Sequence, residues 1–121
     1  MIKSHMYVLA VQDLHQAALY YQNVLGFLVR EIDDDGWRIF ERDSCRIMAG
    51  HCPDSVVAHE LGDHSYFAYI MVDDIDAYHA EISANRATLI KALKSEPWGM
   101  REFGIRTNDG HRIMFGQDMD I

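Results

Sequence analysis

The pentapeptide RIMAG at 46–50 returns as RIMFG at 112–116, 66 positions later. A chain of 121 residues that writes nearly the same strand twice either contains a coincidence or is a duplicated unit. A second correspondence decides. VLAVQDLHQA at 8–17 is answered 61 positions on by YIMVDDIDAY at 69–78. Val11-Gln12-Asp13-Leu14 and Val72-Asp73-Asp74-Ile75 agree in type at three of four positions. In both, an alternating apolar run stops at an aspartate where a helical period begins. The offset grows from 61 to 66 across a longer excursion in the second copy, KSEPWGMRE at 94–102. The chain reads as a tandem repeat.

Each repeat spells strand–helix–strand–strand–strand. Asp13 with Gln16 three residues on has the spacing of a capping box. Leu14, Ala17, Tyr21, Val24 and Leu25 then recur at helical spacing, and Gly26 can stop the helix in the left-handed conformation. In the second copy Asp74 caps a helix carrying Ile75, Tyr78 and Ile82 that ends near Asn85. Strand-like segments follow at 27–32, 37–41 and 45–50, and again at 88–92, 101–106 and 111–116. Asp35-Gly36, Asp43-Ser44 and Asp109-Gly110 suit tight hairpins between them. The expected architecture is α+β: a single domain over 1–121, made of two βαβββ repeats at about 4–52 and 64–118 joined by a loop at 50–64. The length suffices for one core and not for two.

Composition narrows the partners. Hydrophobic content of 49% with 25% charged residues is that of a globular chain. Nineteen acids against eleven bases give a net charge of −8, the wrong sign for gripping nucleic acid. The longest apolar stretches, such as 6–11, fall far short of a membrane span, and the opening MIKSH lacks a signal peptide's features. Two cysteines, Cys45 and Cys52, make neither a disulfide framework nor a paired zinc motif. A cytoplasmic protein with no nucleic acid and no membrane partner is expected.

A βαβββ unit used twice in so short a chain resembles the vicinal oxygen chelate superfamily of glyoxalase I, extradiol dioxygenases, and fosfomycin and bleomycin resistance proteins. VQDLHQAALYYQNVLGF at 11–27 looks like the family's first strand end and helix, and NDGHRIMFG at 108–116 like its last hairpin. EPWGMREF at 96–103 is similar to the segment that bleomycin resistance proteins carry before their penultimate strand. The resemblance implies a curved mixed-sheet half-barrel paired as a homodimer, with crevices between subunits. It also implies four equivalent ligand positions, which the metal enzymes fill with His or Glu. Here they hold Met6, Phe67, Met48 and Met114. A phenyl ring cannot ligate, and flexible thioethers more often fill apolar space, so no metal and no cofactor are expected. His5 would enter only after a register slip. In HELGDH at 59–64 the histidines are five apart, about 140° around a helix, and do not share a face.

Strand alternation places Tyr7, Leu9 and Val11, with Ala68, Ile70 and Val72, under the helices. Met6, Val8, Ala10, Phe67, Tyr69 and Met71 fall on the concave side, as do Arg46, Met48, Arg106, Arg112, Met114 and Glu102. Pro97 and Gly99 flank Trp98, so a stiff turn presents an indole on which a planar or cationic group can stack. Trp37 and Phe40 can form another wall, with the parity of their strand left open. The expected ligand-binding set is Trp98, Met48, Met114, Phe67, Tyr69, Arg46, Arg112, Glu102, Trp37 and Phe40. The expected function is metal-independent binding of a small molecule, the sequestration of a planar aromatic such as a cationic antibiotic near the dimer interface. Up to three inward arginines would rather welcome a carboxylate or phosphate, which leaves the ligand's identity open. The alternative is a glyoxalase-like lyase or a dioxygenase of the same superfamily.

Overall fold

The computed structural model describes residues 1–62 and 65–119, and its element order repeats itself. The first half runs β1 (Tyr7–Val11), α1 (Leu14–Asn23), β2 (Leu28–Glu31), β3 (Trp37–Arg42) and β4 (Cys45–His51). The second runs β5 (Tyr66–Met71), α2 (Ile75–Ala84), β6 (Thr88–Ser95), β7 (Met100–Arg106) and β8 (Arg112–Asp118). Each half builds one four-stranded mixed sheet, in the orders β1-β4-β3-β2 and β5-β8-β7-β6. In each, the first strand lies parallel beside the last and the remaining pairs are antiparallel. Tyr7 pairs with Ile47 and Ala68 with Ile113, so the two pentapeptides hold the same place in their sheets.

Both helices begin where the sequence marks them. The Asp13 carboxylate accepts the Gln16 amide and the Asp74 carboxylate accepts the Ala77 amide, each at 3.1 Å. After α1 the chain turns through Gly26 at φ +77°, where the left-handed conformation favours glycine. A Cβ at that position would also stand 2.3 Å from the Arg42 guanidinium, which ion-pairs with Glu81.

The buried apolar side chains of β1, β4, β7 and β8 are those of one parity: Leu9, Val11, Ile47 and Ala49 in the first sheet, Phe103, Ile105, Ile113 and Phe115 in the second. With Tyr21, Phe40, Ile75 and Ile82 they form one continuous core. The halves meet through their helix-bearing sides. Tyr78 Oη donates to the Leu25 carbonyl (3.0 Å), Asn85 to Val24 (3.2 Å), and Tyr20 Oη to Arg106 (3.2 Å). The opposite face of each sheet stays open, which leaves Val8 and Met71 exposed. Among the described residues no helix is long and apolar enough to cross a membrane.

A second tie crosses between halves at the β7–β8 turn. Asp109 is 5% exposed there, and the backbone amides of Asp13 and Gln12 favour its charged form. Burial outweighs their pull and pushes its carboxyl up to about 6. Between the ordinary value near about 4 and that point, the folded chain keeps a proton the unfolded chain has released, so Asp109 withdraws stability as pH rises through this window. His111 works the other way: burial lowers its pKa, so charging it withdraws stability as pH falls below about 6.5. Asp109→Asn keeps an acceptor for both amides and removes the carboxyl proton. In urea titrations the stability of this variant relative to wild type should rise as pH goes from 4 to about 6. A difference that is flat in pH would show that Asp109 does not titrate there.

Candidate functional site

The glycines that end the two pentapeptides explain why both copies keep one. On β8, Gly116 pairs with Glu102 of β7, and the ring of Tyr69 lies over its backbone. A Cβ there would stand 2.0 Å from the Tyr69 hydroxyl oxygen. On β4, Gly50 pairs with Trp37 of β3, and a Cβ there would stand 2.9 Å from the Trp37 indole. Each glycine leaves room for an aromatic ring to lie flat on the open face of its sheet.

In the second sheet this face carries a polar cluster. Tyr69 Oη donates to Glu102 Oε1 at 2.9 Å, and Trp98 Nε1 donates to the same oxygen at 3.3 Å. Lys91 Nζ stands 3.3 Å from Glu102 Oε2 and 3.7 Å from Glu96. Glu102 is 4% exposed, so its charge is tolerable only because it is answered on both oxygens. Burial, reinforced by the hydrogen bond to Glu102, holds the Tyr69 phenol well above its usual range, which keeps it a donor. Trp98, in the turn between β6 and β7, shows 61% of its surface, and Tyr69 shows 41%. Met114 borders a hollow of about 240 Å³ with Tyr66, Phe67 and Tyr69.

Of the ten residues singled out from the sequence, Trp98, Glu102, Tyr69 and Met114 come together on this sheet. Trp37 and Met48 lie on the open face of the other, because Trp37 covers Gly50 and Ile39 pairs with Met48. The remaining four are placed differently from one another. Phe40 is fully buried on the helix side of β3, stacked on Tyr21 with ring centroids 4.5 Å apart, so it cannot be a wall for a ligand. Phe67 sits at a β-bulge between Tyr66 and Ala68. The extra residue gives Tyr66 the place opposite Arg112, and the Phe67 ring turns edge-on to Tyr7 and His111. The Arg112 guanidinium is committed to the connection between halves: it donates to the Gly62 carbonyl, to Ser65 Oγ at 2.6 Å and to the His59 carbonyl at 3.2 Å. Its N–H groups are thereby turned to the connecting segment. Arg46 lines a larger cleft of about 1010 Å³ between the halves, which meets the site at Tyr69 and is bordered also by His5, Cys45, Met71 and Asp73.

Lys91 and Tyr66 were missed. Lys91 had a signal: a single lysine inside the apolar run of β6, LIKAL, marks a charge with a partner. The four positions at which the resemblance puts metal ligands carry no nitrogen or oxygen donor in Met6, Met48, Phe67 and Met114. Among the described residues no three His, Cys, Asp or Glu side chains converge. The first three residues of HELGDH belong to a short 3₁₀ turn, Ala58–Leu61, while Asp63 and His64 lie outside the described residues.

Comparison with known proteins agrees with the fold. Residues 3–115 match the family model described as the Glyoxalase/Bleomycin resistance protein/Dioxygenase superfamily. No curated protein sequence matches the chain. Among solved structures, TioX from Micromonospora sp. ML1 is similar at a TM-score of 0.76 and 23% identity, covering 96% of this chain and 99% of that one. A bleomycin-binding protein complexed with bleomycin is similar at 0.78 and 18%, covering 97% and 99%. A glyoxalase/bleomycin resistance protein/dioxygenase from Alicyclobacillus acidocaldarius is similar at 0.83 and 12%, covering 98% and 92%. At such identities the likeness speaks for the fold alone.

Proposed function

The chain belongs to the Glyoxalase/Bleomycin resistance protein/Dioxygenase superfamily, and from that premise we propose that it is a metal-independent binder that sequesters a planar aromatic small molecule. The observation that carries this reading is Trp98: an indole mostly open to solvent, beside the exposed ring of Tyr69 on an unfilled sheet face, with its N–H anchored. Such a pair of rings gives a flat ligand apolar area and π contact together. Glu102 is answered by Lys91 and Arg112 is held by the connecting segment, so it is the exposed indole face that favours a cationic ligand over an anionic one. The thioethers and phenyl ring at the four family ligand positions support binding without a metal. The net charge of −8 supports a small-molecule partner over nucleic acid.

The exposed Val8, Met71, Tyr69 and Trp98 on the open faces are more apolar surface than a solitary subunit usually leaves wet, which supports a homodimer with the site at its interface. The enzymatic reading, a glyoxalase-like lyase or dioxygenase, finds its one support in the Tyr69–Glu102 pair. With donors from Tyr69 and Trp98 directed at it and the Lys91 ammonium ion-paired to it, that carboxylate is better built to hold side chains than to shuttle a proton.

The test is a thermal-shift panel of planar compounds (proflavine, ethidium, metal-free bleomycin and the anion 1-pyrenesulfonate), followed by tryptophan quenching and sedimentation at the same concentrations. At least one cationic member should raise the melting temperature and bind a dimer. Trp98→Ala should weaken that binding at least tenfold, about 1.4 kcal/mol, with the melting temperature of the free protein unchanged. A panel without a binder, equal binding by Trp98→Ala, or stoichiometric zinc, nickel, iron or manganese in the purified protein would overturn the reading.

A further inference from the structure

The two halves differ at one matched position. Trp37 faces Gly50 in the first sheet, and Glu102 occupies the corresponding place facing Gly116 in the second. The fold thus accepts an apolar ring where the second half buries a carboxylate, and a buried charge is a burden that packing alone does not call for. The excursion that lengthens the second half brings Trp98, and with it the indole N–H that Glu102 accepts. The carboxylate and the ring it holds are present together in one copy and absent together from the other.

We propose that Glu102 is the positioning residue of this site: its buried carboxylate clamps the Trp98 indole and the Tyr69 phenol through one oxygen, so that two exposed rings form a fixed wall before any ligand arrives. Lys91 steadies the clamp from the second oxygen and joins it to Glu96 in the Trp98 turn. An indole showing 61% of its surface would otherwise sample several rotamers, and a ligand would have to select one. Fixing two side chains in advance removes that ordering from the binding step and is expected to tighten association by about tenfold or more. The inference rests on the binding reading above for its purpose and stands apart from it in its test.

The chain has two tryptophans, so a ¹⁵N-labelled sample gives two indole N–H signals, assigned by Trp37→Phe. The Trp98 signal should lie downfield and exchange slowly with solvent despite the ring's exposure. Glu102→Leu should move it to the position and exchange rate of a free indole, and Glu102→Gln, which keeps an acceptor oxygen, should retain much of the wild-type signature. Binding of proflavine should weaken at least tenfold in Glu102→Leu and less in Glu102→Gln. A wild-type Trp98 N–H that exchanges as fast as a free indole overturns the proposal whether or not Glu102→Leu folds, as does an unchanged signal in a folded Glu102→Leu. A clamped indole in a protein that binds no planar compound overturns the binding reading and leaves the clamp standing.

Discussion

Phe40→Ala should lower the stability of the folded chain by about 3–5 kcal/mol, the loss expected for truncating a well-packed aromatic. Phe40 has no exposed surface, stacks on Tyr21 at 4.5 Å with the planes 22° apart, and sits where α1 lies on β3. Tyr21 is itself buried and meets Phe27 edge-on, so a cavity at Phe40 strips contacts from a chain of three rings. Urea denaturation at neutral pH measures the loss through a fall in midpoint with the slope unchanged. Phe40→Leu, which keeps most of the volume, should lose much less. Were Phe40 a ligand residue on the open face, Phe40→Ala would spare stability and abolish binding. A change below about 1 kcal/mol would contradict the packing described for β3.

The second large effect belongs to Gly116→Ala. The added methyl would lie 2.0 Å from the Tyr69 hydroxyl oxygen and 2.6 Å from its ring, so the ring must leave the sheet. Its departure takes a donor from Glu102, and a buried carboxylate losing a partner is destabilised by about 1–3 kcal/mol. Planar ligands would lose half of their wall as well, so weaker binding and lower stability should appear together. Gly50→Ala is the matched comparison. There the methyl meets only the edge of the Trp37 indole at 2.9–3.0 Å, no buried charge depends on that ring, and the loss should be smaller. Equal stability of Gly116→Ala and wild type in the same urea assay would remove Tyr69 from its place over the glycine.

The fold was legible because its signals are local and duplicated. Asp13 and Asp74 cap helices at equivalent points, and one parity supplies the buried apolar side chains of β1, β4, β7 and β8. Where both parities carry large residues, alternation says nothing. WRIFER in β3 offers Trp37, Ile39 and Phe40 to either face, and only the pairing of Trp37 with Gly50 assigns them. YFAY at the start of β5 hides a bulge for the same reason: an aromatic on each side of the register gives no hint that Tyr66 and Phe67 have changed roles. The site was half legible. Trp98 between proline and glycine announces an exposed ring, but its acceptor, the Tyr69 phenol and the Lys91 ammonium arrive from different strands. Arg112 looked free in sequence because its three acceptors belong to a segment with no periodicity of its own.

The strand orders β1-β4-β3-β2 and β5-β8-β7-β6 also bear on how the chain is made. In both halves the strand translated first waits for the strand translated last, since β1 has only β4 to pair with and β5 only β8. The first sheet can close while the second is still inside the ribosome, once residue 51 has emerged. The second cannot close until Arg112–Asp118 has emerged. Removing that one strand takes the interior of the sheet, orphans β5 and leaves only β6 and β7 paired.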